Sequence, residues 1–104
     1  RKGRYFFSTD QIVYCEAVTA IPYTEVHLAS GQTCIETKNI GHFEKLLTPL
    51  NFEKPHKSYL LNMKYFKSCS KKNNEIEIEY YPETKIPLSR DRKKYFELKY
   101  RMFR

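Results

Sequence analysis

Side-chain chemistry needs groups that can ligate, attack or move a proton, and this sequence offers few of them in company. Its three histidines, His27, His42 and His56, stand in separate segments, and its three cysteines, Cys15, Cys34 and Cys69, are scattered singly. There is no H-x-x-x-H metal spacing, no C-x-x-C pair, no glycine-rich phosphate loop and no serine set in a nucleophile elbow. Catalysis therefore lacks a convergent acid, base or nucleophile. A small basic ribonuclease-like hydrolase is the cheapest enzyme left open, and neither a metal site nor a cofactor is expected. An odd number of cysteines with no secretory segment nearby makes a reducing cytoplasm the expected location.

What the chain does have in quantity is positive charge. Its 104 residues carry 19 Lys and Arg against 12 Asp and Glu, for a formal net charge of +7. Such an excess points to a polyanionic partner, nucleic acid ahead of an anionic membrane surface. Residues 1–52 hold five basic and five acidic side chains, so the whole excess falls in residues 53–104. A binding face built by the second half is the expectation. The length suits one domain spanning residues 1–104, and a start at Arg1 suggests a fragment of a longer protein. No apolar run approaches the roughly 20 residues that span a bilayer.

Short runs of Tyr, Phe, Ile, Val and Thr between small polar clusters predict a mainly β fold. Arg4–Phe7 reads as a weak first strand. In Ile12–Ala17 a period of two sets Val13, Cys15 and Ala17 against Ile12, Tyr14 and Glu16, with Cys15 a small core residue. Tyr23–Leu28 alternates, with Thr24, Val26 and Leu28 against Tyr23, Glu25 and His27, and the Ala29-Ser30-Gly31 turn returns the chain through Gln32–Thr37 as a hairpin. Ser58–Phe66 reads as a buried strand with a turn. Glu75–Tyr80 alternates strictly, as on an exposed sheet, and turns at Pro82–Thr84 into Lys85–Leu88. Asn39 can cap a helix reaching about Leu47, with Ile40, Phe43, Leu46 and Leu47 as its buried stripe, ended by Thr48-Pro49. Arg90–Phe103 is a basic amphipathic helix with two apolar lines, Tyr95/Leu98/Met102 and Phe96/Tyr100/Phe103, expected to pack on a sheet.

Four blocks carry a family resemblance. Phe52-Glu53-Lys54-Pro55-His56-Lys57-Ser58-Tyr59-Leu60-Leu61-Asn62 resembles the LytTR signature F-x-R-x-H-[RK]-S-[FY]-[LV]-[LV]-N, with Lys54 in place of the usual Arg. Upstream, Ile12–Ala17 resembles that family's strand ending in Glu-Ala, and Tyr23–Gly31 its Tyr-Thr-x-x-x-Leu-x-x-Gly hairpin. Downstream, Ile86-Pro87-Leu88-Ser89-Arg90 resembles its closing Ile-Pro-[VL]-Ser-Arg. Together the blocks cover about Asp10–Lys99. The resemblance implies an elongated set of small antiparallel sheets with one or two short helices. It also implies sequence-specific binding of duplex DNA by loops entering successive major grooves, typically as paired domains on direct repeats. Family members are commonly joined to a receiver domain, and sometimes to membrane segments, so the output domain of a two-component response regulator, a homodimer on DNA, is the expected setting.

On this sequence the family's base-reading loops fall near Pro22, at Lys57 and at Arg90. The first departs from the family pattern, since Ile21-Pro22 stands where a Gly-Asn or His-containing pair is common. An Arg at 90 can donate a planar fork to guanine O6 and N7, and a Lys at 57 can make the same contact less rigidly. Tyr23, Lys54, His56, Ser58, Lys93 and Lys94 suit phosphate contacts that set register without reading sequence. His56 can instead hold its own loop, and Asn62 suits a turn. Nine Tyr and seven Phe interleaved with Lys offer the alternative of a stacking surface for single-stranded nucleic acid, or a protein-interaction module.

Overall fold

The computed structural model describes residues 7–18 and 23–100. It is mainly β, with two antiparallel sheets and two short helices, and measures 46 × 25 × 24 Å along its principal axes. The larger sheet comprises β1 (Ile12–Val18), β2 (Tyr23–Leu28), β3 (Thr33–Glu36), β4 (Phe52–His56) and β5 (Tyr59–Asn62), in the order β3-β2-β1-β5-β4. The smaller sheet orders β6 (Phe66–Ser70), β7 (Glu75–Ile78) and β8 (Lys85–Pro87) in sequence. Helix α1 (Ile40–Leu47) crosses from β3 to β4, and α2 (Arg90–Tyr100) follows β8.

Both faces of the larger sheet are covered, which explains why β1 does not read as a simple alternation. A bulge between Ile12 and Tyr14 breaks the period of two. Ile12 joins Cys15 on the α1 side, with Val26, Leu28, Cys34, Ile40 and Leu47, whereas Val13 joins Tyr14 on the other side. The expected pairing of Val13 with Cys15 is thereby corrected: one extra residue in the strand flips everything before it. On the second side lie the smaller sheet and α2, with Ile76, Ile78, Ile86 and Phe96 in a common core. Glu75–Ile78 is thus buried along its isoleucine face, not laid on an exposed sheet. The strand stops short of Tyr80, whose φ of 70° takes the chain out of extended backbone.

The β2–β3 hairpin forms as expected. Gly31 sits at φ 93°, its amide donating to the Leu28 carbonyl at 2.9 Å. Asn39 caps α1, its side chain accepting from the His42 amide at 3.1 Å. Ile40 and Leu47 are buried and Phe43 packs beside them, but Leu46 is exposed. The region 52–66 yields β4, β5 and a short 3-10 turn, and Asn62 serves that turn. Its side-chain NH2 donates to the Ile12 carbonyl at 2.9 Å and its oxygen accepts from the Lys64 amide at 3.0 Å. Of Arg4–Phe7, residues 4–6 lie outside the described residues and Phe7 is not in a strand.

Of the two apolar lines on α2, one packs. Phe96 is fully buried and Tyr100 lies against the same core, while Leu98 is 74% exposed and Tyr95 is exposed beside it; Met102 and Phe103 lie outside the described residues. Phe96→Ala should therefore cost about 3–5 kcal/mol, the range for emptying a buried aromatic site. Leu98→Ala should fall within about 0.5 kcal/mol of the parent. Urea midpoints of the two variants check this, and equal losses would contradict the assigned face.

Candidate nucleic-acid interface

The sequence-predicted residues gather at one end of the larger sheet and on the helix beside it. Strand β1 ends and β2 begins there, with Val18 opposite Tyr23. The β4–β5 turn lies next to them, since the Ala17 amide donates to the Ser58 carbonyl at 2.8 Å. Pro55 sits at a bulge in β4, an edge strand, where a residue without an N–H is tolerated. Its carbonyl accepts from the Ser89 amide at 2.9 Å. That bond brings the start of α2, and with it Arg90, alongside the turn that carries Lys57.

The individual side chains differ in how they are held. Lys57 and Arg90 are exposed and have no side-chain partner among the described residues, as is also true of Lys94. Tyr23 is exposed at the first position of β2. His56 holds its own turn: its Nδ1 accepts from the Ser58 amide at 3.1 Å, and its ring meets Tyr59 edge-on. Ser58 is half-buried. The Lys54 ammonium lies 3.1 Å from Glu44 on α1. Lys93 is half-buried on the side of α2 near Cys69, whose thiol burial pushes up and Lys93 draws partly back. Pro22 lies outside the described residues. Between the turn, α1 and α2 runs a groove of about 540 Å³ lined by Lys54, His56, Lys57, Ser89 and Arg92, but also by Glu44 and Asp91. Its lining is therefore of mixed charge, with Lys57 the cation in it that has no side-chain partner among the described residues.

The element that fixes α2 in place was not foreseen. Glu53, on β4, is 8% exposed. Its Oε2 accepts from the Tyr100 hydroxyl at 2.6 Å, the Lys99 ammonium at 2.8 Å and the Tyr95 hydroxyl at 2.9 Å, all from α2. Arg92 lies 3.5 Å from its other oxygen, donates to the Lys54 carbonyl at 3.1 Å and covers the Tyr95 ring at 4.4 Å. Burial alone would raise the Glu53 pKa, but the hydrogen bonds from Lys99, Tyr100 and Tyr95 outweigh it and hold the carboxyl below its ordinary value. The Tyr100 hydroxyl is correspondingly pushed up to about 12, by burial first and then by its bond to Glu53. In the sequence Glu53 is the one acid in a basic and apolar block, a lone signal that gives no partner.

The aromatics that suggested a stacking surface are mostly engaged inside the fold. Tyr14, Tyr65 and Phe96 are buried. Tyr23, Tyr80 and Tyr95, the exposed tyrosines among the described residues, lie apart in the chain, on β2, in the turn after β7 and on α2.

Comparison with known proteins bears on the family and the fold. A sequence profile of the LytTr DNA-binding domain matches residues 2–101. The chain belongs to the LytTR family of DNA-binding domains. A LytTr DNA-binding domain from Bacillus cereus, from a protein described as a methyl-accepting/DNA response regulator, superimposes with a TM-score of 0.68 at 21% identity, over 86% of this chain and 80% of that one. A search of curated proteins finds no match. The LytTR domain is a DNA-binding family and not an enzymatic one, and no helix among the described residues is long and apolar enough to cross a membrane.

The Glu53 cluster makes α2 docking depend on pH. A carboxyl held below its unfolded value contributes stability above that value, near 4.3, and loses it as pH falls through the lower folded value. Wild-type stability should therefore decline below about pH 4.3 more steeply than that of Glu53→Gln, which should already be less stable at pH 7. Tyr100→Phe should cost about 1–2 kcal/mol at pH 7, since it removes a hydrogen bond to a charged acceptor. Urea unfolding of the three proteins across this range, followed by near-UV circular dichroism, reads both effects. Parallel pH profiles for wild type and Glu53→Gln would contradict the role given to Glu53.

Proposed function

We propose that this LytTR domain binds duplex DNA sequence-specifically as the output module of a bacterial response regulator, with Lys57 and Arg90 reading base edges from two adjacent elements. The observation that carries the reading is the joining of the two positions through the Ser89 amide and the Pro55 carbonyl. It brings the hairpin turn that carries Lys57 next to the start of α2, so that two exposed cations without side-chain partners among the described residues stand on neighbouring elements. An Arg at the start of a helix can present its fork to guanine O6 and N7, and a Lys at a hairpin tip can reach a neighbouring acceptor.

Phosphate contacts then set the register. Tyr23, Ser58 and Lys94 supply such contacts in this reading, and His56, whose Nδ1 accepts from the Ser58 amide, keeps the turn in shape and offers its Nε2 to the backbone. Lys54 reaches a phosphate by exchanging Glu44 for it, and Lys93 contributes from a half-buried position. Pro22 belongs to the first loop in this reading, where it supplies an apolar edge. The module is one domain over residues 1–104, part of a longer cytoplasmic regulator carrying a receiver domain or membrane segment, and it acts as a homodimer on direct repeats.

Arg90→Ala should cost about 1–3 kcal/mol on the specific site, relax preference at one base pair and leave non-specific binding nearly intact. Lys57→Ala should do the same at a different base pair. For wild type, log K should fall with log salt by about 0.9 per neutralised phosphate. Site selection from random duplexes supplies the operator, and fluorescence anisotropy on single-base variants reads the rest. Relaxation at one shared position, or a uniform loss on all sequences, would remove these residues from base recognition.

A further inference from the structure

A second polar cluster lies on the face of the larger sheet that meets Tyr81. Glu16 on β1 and Glu25 on β2 are direct cross-strand partners, an arrangement in which like charges repel and weaken the sheet. His27, two residues along on the same face of β2, places its Nε2 3.3 Å from a Glu25 oxygen and 4.0 Å from a Glu16 oxygen. One donor atom from each of the three residues falls within 4.8 Å of the others. The imidazole is 12% exposed and is held from every side. Tyr14 stacks on it at 4.2 Å, Tyr81 meets it edge-on, and its Nδ1 is 3.1 Å from the Thr33 hydroxyl on β3.

The Nε2 atom is nevertheless buried without a hydrogen-bond partner. Buried polar atoms are nearly always satisfied, so such an atom needs an explanation. If Nδ1 carries the proton and donates to Thr33, the Nε2 lone pair faces two carboxylates, and three acceptors converge with nothing positive between them. If Nε2 carries it, the proton has one carboxylate within reach, Glu25 at 3.3 Å, but not in hydrogen-bonding geometry, and the Glu16–Glu25 repulsion stays. A cation between the three atoms removes the conflict in every respect.

We propose that Glu16, Glu25 and His27 form a binding site for a divalent transition metal of the zinc class. One imidazole nitrogen and two carboxylates suit Zn²⁺ better than Mg²⁺ or Ca²⁺, which prefer all-oxygen shells. Bonds of about 2.0–2.2 Å in tetrahedral array set donor atoms about 3.4 Å apart, so the observed spacing needs only small side-chain movements. The surrounding bonds match what orients metal ligands elsewhere. Thr33 sits on the far ring nitrogen, and the Tyr59 hydroxyl donates to the second Glu16 oxygen at 3.1 Å. A bound ion ties β1 to β2 close to where they lead into residues 19–22, and water completes its shell.

The site can be tested without DNA. The chain, stripped with chelator, is titrated with Zn²⁺ alone by calorimetry, with thermal unfolding and the His27 ring resonances followed in parallel. One ion per chain, a higher melting temperature and a shift of the His27 ring signals are expected. Glu25→Gln and Glu16→Gln keep side-chain size and remove the cross-strand repulsion, so both should fold, melt no lower than the metal-free parent and lose this binding. Thr33→Ala should weaken it about tenfold. Failure of the wild type to take up Zn²⁺, uptake unchanged in both Gln variants, or equal affinity for Mg²⁺ would each overturn the proposal.

Discussion

The arrangement of the second half of this chain depends on one buried carboxylate. Glu53 sits on an edge strand and is turned toward a helix that supplies three hydrogen-bond donors, Tyr95, Lys99 and Tyr100, and an ion pair with Arg92. An isolated charge in that position would cost several kcal/mol of lost hydration. With these partners it becomes a fixed point that helps to specify which face of α2 meets the sheet. The apolar side of the same contact is Phe96, and the two are complementary: the phenyl ring supplies non-directional burial, the carboxylate supplies direction. Placement of Arg90 at the helix start follows from both, together with the Ser89 amide on the Pro55 carbonyl.

This constraint also sorts the positive charge. The sequence places its whole excess in the second half, but the structure divides it by function. Arg92 and Lys99 are committed to Glu53, and Lys54 to Glu44. Lys57, Arg90 and Lys94 are left facing solvent without partners among the described residues. A count of Lys and Arg therefore overstates the charge available to a polyanion, and the committed residues act by holding the others in place.

Much of this was legible in the sequence where local signals suffice. The hairpin at Gly31 was readable because a turn of small residues interrupts clean alternation, and the start of α1 because Asn39 is a good N-cap before an apolar stripe. The family, and with it the positions of Lys57 and Arg90, was legible from four blocks in order. What escaped notice depends on contacts distant in sequence. The bulge at Val13 leaves no local trace, since Ile12–Cys15 is apolar throughout and either register would bury it. The isoleucine face of β7 appeared exposed because nothing in Glu75–Ile78 announces a second sheet folding over the first. On α2 the two apolar lines are equally good by periodicity, and the choice of Phe96 and Tyr100 over Leu98 comes from the distant core of Ile76, Ile78 and Ile86 together with the bonds to Glu53, more than forty residues upstream of Phe96. The cluster of Glu16, Glu25 and His27 was hidden for the same reason, being assembled by strand pairing and not by spacing.

The most direct measurement of the central claim is a backbone and side-chain NMR titration of the chain with a duplex carrying its selected site. The account predicts shifts concentrated at Tyr23, Lys57, Ser58 and Ser89–Lys94, with the Glu53 cluster intact and the β6–β7 hairpin unaffected. Shifts centred on β3 or on the β6–β7 hairpin, with Lys57 and Arg90 unchanged, would contradict it.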